Sequence, residues 1–221
     1  MNFTPLSQLD SSGLDALAAL HHSVMHTLLS ELGLQVVRRY YEICQRDSSV
    51  VAISAFSLPP RAGEGPGRCP DGSSIAYRVE GMGAVLGWAV GSPYPERINA
   101  QLRTPLTWFA GQMLTLAVTR PAALMQLAQS VLSASDANAL RPGQIELTYI
   151  GVAPAARGRG LGKGLLMAFL EASRAAGYVS VALSVETDNP AAIALYTNGG
   201  FHITKTFHEG RFERHRMELV F

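Results

Sequence analysis

Residues 146–167 of this 221-residue chain read Glu146-Leu-Thr-Tyr-Ile-Gly-Val-Ala-Pro-Ala-Ala-Arg157-Gly158-Arg159-Gly160-Leu161-Gly162-Lys163-Gly-Leu-Leu-Met. An apolar run ends at Pro154, small residues turn the chain, and a helix is predicted to open near Gly160 with Leu161, Leu165, Leu166, Phe169 and Leu170 on its buried side. Glycines let a backbone approach a ligand without obstruction by a Cβ. The unpaired amides of a first helical turn attract negatively charged oxygen. Arg157, Arg159 and Lys163 add positive charge at the same place, so the ligand group predicted here is a phosphate or pyrophosphate. Two common phosphate motifs do not fit. There is no Gly-x-x-x-x-Gly-Lys-Ser/Thr, and Gly158-Arg-Gly160-Leu-Gly162 lacks the spacing of Gly-x-Gly-x-x-Gly.

Counted from Arg157, the loop reads Arg-x-x-Gly-x-Gly directly after Ile-Gly-Val-Ala-Pro. A second pattern follows at Val185-Glu-Thr-Asp-Asn189-Pro-Ala-Ala192-Ile-Ala-Leu-Tyr196-Thr-Asn-Gly-Gly200-Phe201. With these two motifs the sequence resembles the GNAT family of acyl-CoA-dependent N-acyltransferases. That family's pyrophosphate loop is Gln/Arg-x-x-Gly-x-Gly/Ala, and its later helix carries Asn-x-x-Ala-x-x-x-Tyr ahead of a Gly-Phe strand start. The detailed resemblance covers 144–220, and the earlier helices and strands follow the family more loosely.

The resemblance implies a GNAT fold of the α/β (α+β) class. Its mixed, mostly antiparallel twisted sheet would have helices on both faces and splay between its fourth and fifth strands, here 144–152 and 179–186. Acetyl-CoA would be the co-substrate, without a metal, its pantetheine arm pairing with backbone near Ile150 and Val152. Amides from Arg157, Gly158, Arg159, Gly160, Leu161 and Gly162 would hold the pyrophosphate, and Asn189 would assist on the cofactor side. An ammonium has no lone pair with which to attack a thioester, and a lysine-like amine has a pKa of ~10.4, so a base is needed. Glu146 stands where some relatives place one. In an alternating strand it points with Thr148 and Ile150, away from Leu147 and Tyr149. Tyr196 holds the position of the family's general acid, whose phenol would return a proton to the leaving thiolate.

These residues need elements to position them. Apolar spacing predicts helices at 12–29 and 32–46, a strand at 50–56, strand character at 75–79 and 84–90, and helices near 98–116 and 121–134. Pro59 to Gly72 mark a loop rich in proline and glycine. From 144 the pattern is regular: strand 144–152, helix 160–176, strand 179–186, helix 190–198, then strands 200–207 and 212–220 as a closing hairpin. The whole chain, 1–221, reads as one domain with a helical insertion at 98–140.

Charge is scarce. Lys and Arg number 18, Asp and Glu 17, together 16% of the chain against 48% hydrophobic residues, with a net charge of +1. Such composition excludes disorder and argues against a nucleic-acid binder held by phosphate neutralisation. Between Asn99 and Leu140 only Arg103, Arg120 and Asp136 are charged, yet the uncharged runs are too short for a membrane span and carry Gln112, Thr115, Gln126 and Gln129. Trp108, Phe109, Met113, Leu114 and Leu116 there read first as core, then as a cover for an apolar acceptor, then as a homodimer surface. The N-terminus lacks the basic start and apolar stretch of a secretory signal, so the protein is expected in the cytoplasm, with Cys44 and Cys69 reduced. His22 and His26, four apart on the first helix, lack a third ligand and read as helix-surface residues. His202, His208 and His215 belong to the terminal hairpin, where seven mixed charges from Lys205 to Glu218 read as exposed sheet.

The function expected is transfer of acetyl from acetyl-CoA to a primary amine of a small molecule, peptide or protein by direct attack. No cysteine occupies a matched catalytic position for an acyl-enzyme. A non-catalytic acyl-CoA-binding module and an enzyme for longer acyl chains are the alternatives.

Overall fold

A computed structural model describes residues 2–57, 78–79, 83–119, 139–209 and 212–221, of which 78–79 and 119 are described by backbone alone. The elements in chain order are β1 (Asn2–Pro5), α1 (Ser11–Val24), α2 (Leu28–Glu31), α3 (Leu34–Arg46), β2 (Val51–Phe56), β3 (Arg78–Val79), β4 (Gly83–Ser92), α4 (Pro95–Leu102), α5 (Leu106–Thr119), β5 (Gln144–Val152), α6 (Leu161–Ala175), β6 (Ser180–Glu186), α7 (Pro190–Asn198), β7 (His202–Glu209) and β8 (Phe212–Val220). The strands lie in the order β1-β2-β4-β5-β6-β8-β7, with β3 paired to β4. Neighbours are antiparallel except β5 and β6, whose parallel pairing is confined to Gln144↔Ser180, Ile145↔Val181 and Glu146↔Ala182. Beyond that third rung the two strands part, at the place the sequence resemblance implied. Because Asn2–Pro5 pairs with β2, the parting strands are the fifth and sixth in chain order, one later than the sequence count.

The sheet is clothed unequally. Against one face lies α6, whose Leu165 and Phe169 sit where Gly87 and Gly91 leave room, and α7 packs beside it through Leu166 and Gly199. Against the other face of β4 and β5 lie α1 and α3. Asp10 caps α1 by accepting from the Gly13 amide at 2.8 Å. The amphipathic α3 buries Val36, Val37, Tyr40, Tyr41 and Cys44.

The central seam is aromatic. His21 of α1 stacks on Trp88 with ring centroids 5.4 Å apart and meets Tyr149 edge-on at 4.8 Å. Its Nδ1 lies 2.6 Å from the Tyr41 hydroxyl. Trp88 in turn lies over Gly151, where any Cβ would come within 2.4 Å of the indole. That contact is why position 151 carries no side chain. It seats the helices on the strand pair next to the parting.

Several sequence expectations change. The helix expected over 12–29 ends at Val24, because Met25 turns extended and Thr27 caps a separate α2 through the Ser30 amide. His22 and His26 therefore do not share a helix, and the histidine that matters is the buried His21. The helix expected over 98–116 is two. Pro95 opens α4 earlier, and Pro105 interrupts the run because it has no amide to donate and disfavours helical geometry at Thr104. The helix expected at 121–134, the loop from Pro59 to Gly72, Cys69 and the 75–77 part of a strand lie outside the described residues. Within α5, Leu116 is buried and Trp108 packs under the Arg39 guanidinium at 4.7 Å, whereas Leu106, Leu114 and Val118 are 73%, 69% and 78% exposed. The core reading thus holds for one edge of this helix only. No helix among the described residues is long and apolar enough to cross a membrane.

Burial pushes the His21 pKa from 6.5 down to about 3, the neighbouring His22 adding to the effect. The folded chain thus resists protonation at a site the unfolded chain protonates readily. Unfolding free energy should fall as pH drops from about 6.5 toward 3, since the unfolded state binds the extra proton in that window. Urea titrations between pH 7 and 4 should show this decline, and His21→Leu should flatten part of it.

Candidate active site

The opening between β5 and β6 exposes main-chain groups in a fixed alternation. The Ala153 amide donates to the Leu86 carbonyl at 2.8 Å, which sets the phase of the antiparallel β4–β5 ladder. Gly151 and Tyr149 therefore spend their amides and carbonyls on β4, and those of Ile150 and Val152 point into the opening. These two are the residues named from sequence for pairing with an extended ligand. The Val152 carbonyl already accepts from Arg157 Nε at 3.3 Å.

Arg157 follows a short 3-10 turn at Pro154–Ala156 and starts the glycine loop. Gly158 and Gly160 have φ of +72° and +75°, in the left-handed region that glycine tolerates, and open space lies where a Cβ on either would stand. Gly160 precedes α6 without any side-chain cap, and the first intrahelical bond is Gly164 amide to Gly160 carbonyl. The amides of Leu161, Gly162 and Lys163 are thus without helical acceptors. Arg157, Arg159 and Lys163 are exposed around them. An uncapped helix start, an open glycine cradle and three cations fit a pyrophosphate group, and the adjacent unpaired edge of β5 fits the amide-bearing arm of coenzyme A.

At the far end of the loop, Gly162 faces Leu195 of α7 and Val152 of β5 at 3.7 and 3.8 Å from a would-be Cβ. This brings α7 to the mouth of the opening. Asn189 is exposed and caps that helix, its Oδ1 accepting from the Ala192 amide at 3.1 Å, so its carbonyl oxygen serves the fold first. Tyr196, one residue beyond Leu195, is buried against Phe201, and burial raises its pKa to about 12. Cys44, equally sequestered, is pushed to about 12 for the same dominant reason.

Glu146 corrects the sequence expectation about direction. The β4–β5 register jumps from Val90↔Tyr149 to Gly91↔Leu147, leaving Thr148 as an extra residue on β5. Such a bulge reverses the alternation, so Glu146 shares a face with Tyr149, not with Ile150. Its Oε1 accepts from Arg216 Nη1 at 2.5 Å, and its pKa is raised, first by burial, with Arg216 opposing and Glu209 and Glu96 assisting. Arg216 was not singled out from sequence, where it was one of seven mixed charges on the hairpin; only its place at a pairing position facing β6 distinguishes it. His215 and His208 lie on the opposite side of that hairpin, bonded to Thr206 and near Glu213. Among the described residues no group of three or more His, Cys, Asp or Glu could hold a metal ion.

Comparison with known proteins places this geometry. A model of the Acetyltransferase (GNAT) family matches residues 67–201, more than half of the chain. The mycothiol acetyltransferase of Paenarthrobacter aurescens is 29% identical over 199 residues, covering 86% of this chain and 57% of that protein. The mycothiol acetyltransferase of Rhodococcus erythropolis is 36% identical over 141 residues, 61% of this chain and 44% of that protein. The chain thus spans about half the length of these relatives. Among solved structures, the ribosomal-protein-alanine N-acetyltransferase from Brucella melitensis superposes with a TM-score of 0.57 at 18% identity over 100% of both chains. Arabidopsis thaliana NAA60 in complex with acetyl-CoA gives 0.55 at 16% identity, covering 99% of this chain and 97% of that one. At such identities the likeness is one of fold.

Gly160→Val should destabilise the fold by ~1–2 kcal/mol, the cost of forcing a branched residue into the left-handed region, and should fill the cradle. Thermal unfolding and retention on a pyrophosphate-bearing nucleotide resin would both be expected to fall, and Gly177→Ala, at another positive-φ glycine after α6, to affect the first alone.

Proposed function

Because the chain belongs to the GNAT acetyltransferase family, we propose that it transfers the acetyl group of acetyl-CoA to a primary amine by direct attack. The observation that carries this reading is the parting of β5 from β6 after three rungs, with the Ile150 and Val152 main chain turned into the gap and an uncapped, cation-ringed helix start at its end. The relatives are named for mycothiol and a structural neighbour for ribosomal-protein alanine. The acceptor proposed is correspondingly a primary amine of a small molecule or of a peptide or protein. The whole described chain is read as one such unit, and acetyl-CoA as donor goes with a cytoplasmic location.

Ile150 and Val152 would align the pantetheine arm as an added strand. Amides from Gly158 to Gly162, with Arg157 and Arg159, would neutralise the pyrophosphate, and Asn189 would hold the start of α7 against the same side. When bound, acetyl-CoA supplies the acyl group and a thiolate leaving group. Glu146, as a carboxylate, removes a proton from the attacking nitrogen at its oxygen, directly or through water. As the new C–N bond forms and the C–S bond breaks, the Tyr196 hydroxyl gives its proton to the departing sulfur. The nitrogen's second excess proton passes to solvent as the amide forms, solvent reprotonates the phenolate, and Glu146 releases its proton. Burial keeps Tyr196 protonated until sulfur carries charge, which is the state an acid requires.

Calorimetric titration with acetyl-CoA, followed by thiol release in the presence of a panel of primary amines, tests the reading. Arg157→Glu should weaken acetyl-CoA binding by about tenfold or more by placing an anion against the pyrophosphate. Tight binding of acetyl-CoA that is indifferent to this reversal would count against the site. Tyr196→Phe should lower kcat by about 10²-fold or more while leaving the acetyl-CoA Kd within about twofold, as expected for a proton donor.

A further inference from the structure

Resting on the proposed function, the geometry points to Arg216 as the residue that positions Glu146 for proton abstraction by bridging the open fork between β5 and β6.

Arg216 lies on β8 opposite Ser184 of β6, and its side chain is only 4% exposed. Strand β6 is the strand beside β5, but the two pair no further than Glu146↔Ala182. The guanidinium reaches over β6 into the level where the next rung is missing. There Nη1 donates to Glu146 Oε1 at 2.5 Å and to Ser184 Oγ at 3.1 Å. One side chain thus ties the two diverging strands together at the point of divergence. The contact to Glu146 uses one nitrogen and one oxygen, a single-point hold in place of the bidentate clamp that arginine commonly makes. The second carboxylate oxygen is left to take a proton.

The charge around Glu146 requires such a partner. Glu209 of β7 and Glu96 of α4 both act to raise its pKa, as does burial, and Arg216 acts against all three. On the same face Arg214 is committed to Glu209 and Glu186, at 2.6 and 3.5 Å, and Glu218 is paired with Arg141. Tyr149, on the strand of Glu146, is itself pushed to about 12 and stays neutral. Among the described residues Arg216 is therefore the cation in contact with the carboxylate, and without it burial and two like charges would favour the protonated, inert form. A buried ion pair that served only stability would be a weak stabiliser, because desolvation offsets most of the attraction.

The test follows the acid limb of the kcat/KM profile, with acetyl-CoA and an amine acceptor found by the panel above. Arg216→Gln should move that limb upward by about one pH unit, so that activity at the foot of the profile drops about tenfold and is recovered at higher pH. The acetyl-CoA Kd should change less than about twofold, and Arg216→Lys should bring the limb most of the way back. An unmoved limb in an active Arg216→Gln variant overturns the inference and leaves the acetyltransferase reading standing. The ionisation of Glu146 is also read without turnover, from carboxyl ¹³C shifts against pH, the resonance assigned by its absence in Glu146→Gln. An unshifted midpoint in Arg216→Gln overturns the inference by itself. If Arg216→Gln fails to fold, Ser184→Ala carries the test. Loss of the hydroxyl that pins the guanidinium should lower kcat several-fold without changing the acetyl-CoA Kd, and an unaltered kcat overturns it. A wild-type chain that binds no acetyl-CoA sinks the proposed function itself.

Discussion

Everything at this site depends on a sheet that stops pairing with itself. Parallel β5 and β6 share three rungs, and the inner edge of β5 then carries main-chain donors and acceptors with no strand opposite among the described residues. Unmet backbone groups are costly when withdrawn from water, so such an edge persists only where something else holds the strands apart and something else meets the groups. Local features meet the first condition, and toward the second the Val152 carbonyl accepts from Arg157. The Trp88 indole over Gly151 and the α1–α3 aromatic cluster seat β5 firmly on β4. The last turn before α6 then directs the chain, its amides and its cations toward the gap.

The same divergence explains the electrostatics. Away from β4 and β5, the face that carries Glu146 continues as Ser184, Glu186, Arg214 and Arg216 on the strands beyond the gap, a polar stripe in a chain with few charges. A sheet face this rich in ionised groups is usually solvated. Here Arg216 is nearly sealed, and Glu146 is held between the pull of that cation and the push of burial and neighbouring carboxylates. One physical effect acts on both Tyr196 and Glu146. Burial raises the pKa of each, and only that of Glu146 is tempered by a countercharge, Arg216.

Much of this was legible in the residues. The Arg157–Gly162 spacing and the Asn189–Tyr196 helix located the glycine loop and α7, because glycine, capping and helical periodicity are local properties written in a few neighbouring positions, and the resemblance those motifs carry implied the gap. What escaped was non-local. The four-residue β1 has no alternation to read, and it exists because β2 offers it a partner. The direction of Glu146 was misread because the Thr148 bulge shows only in the register against β4. Arg216 was hidden among seven mixed charges, since its distinction is a position across two strands. His21 was passed over for His22 and His26, although the alternation of buried Leu17, Leu20 and His21 along α1 places it on the inner stripe.

The bond from the Arg157 side chain to the Val152 carbonyl ties the glycine loop back to the edge of β5. The guanidinium at the head of the loop and a main-chain acceptor turned into the opening are therefore not independent. Whatever moves one takes a hydrogen-bond partner from the other, so the loop and the strand edge answer as a unit to a change at either end.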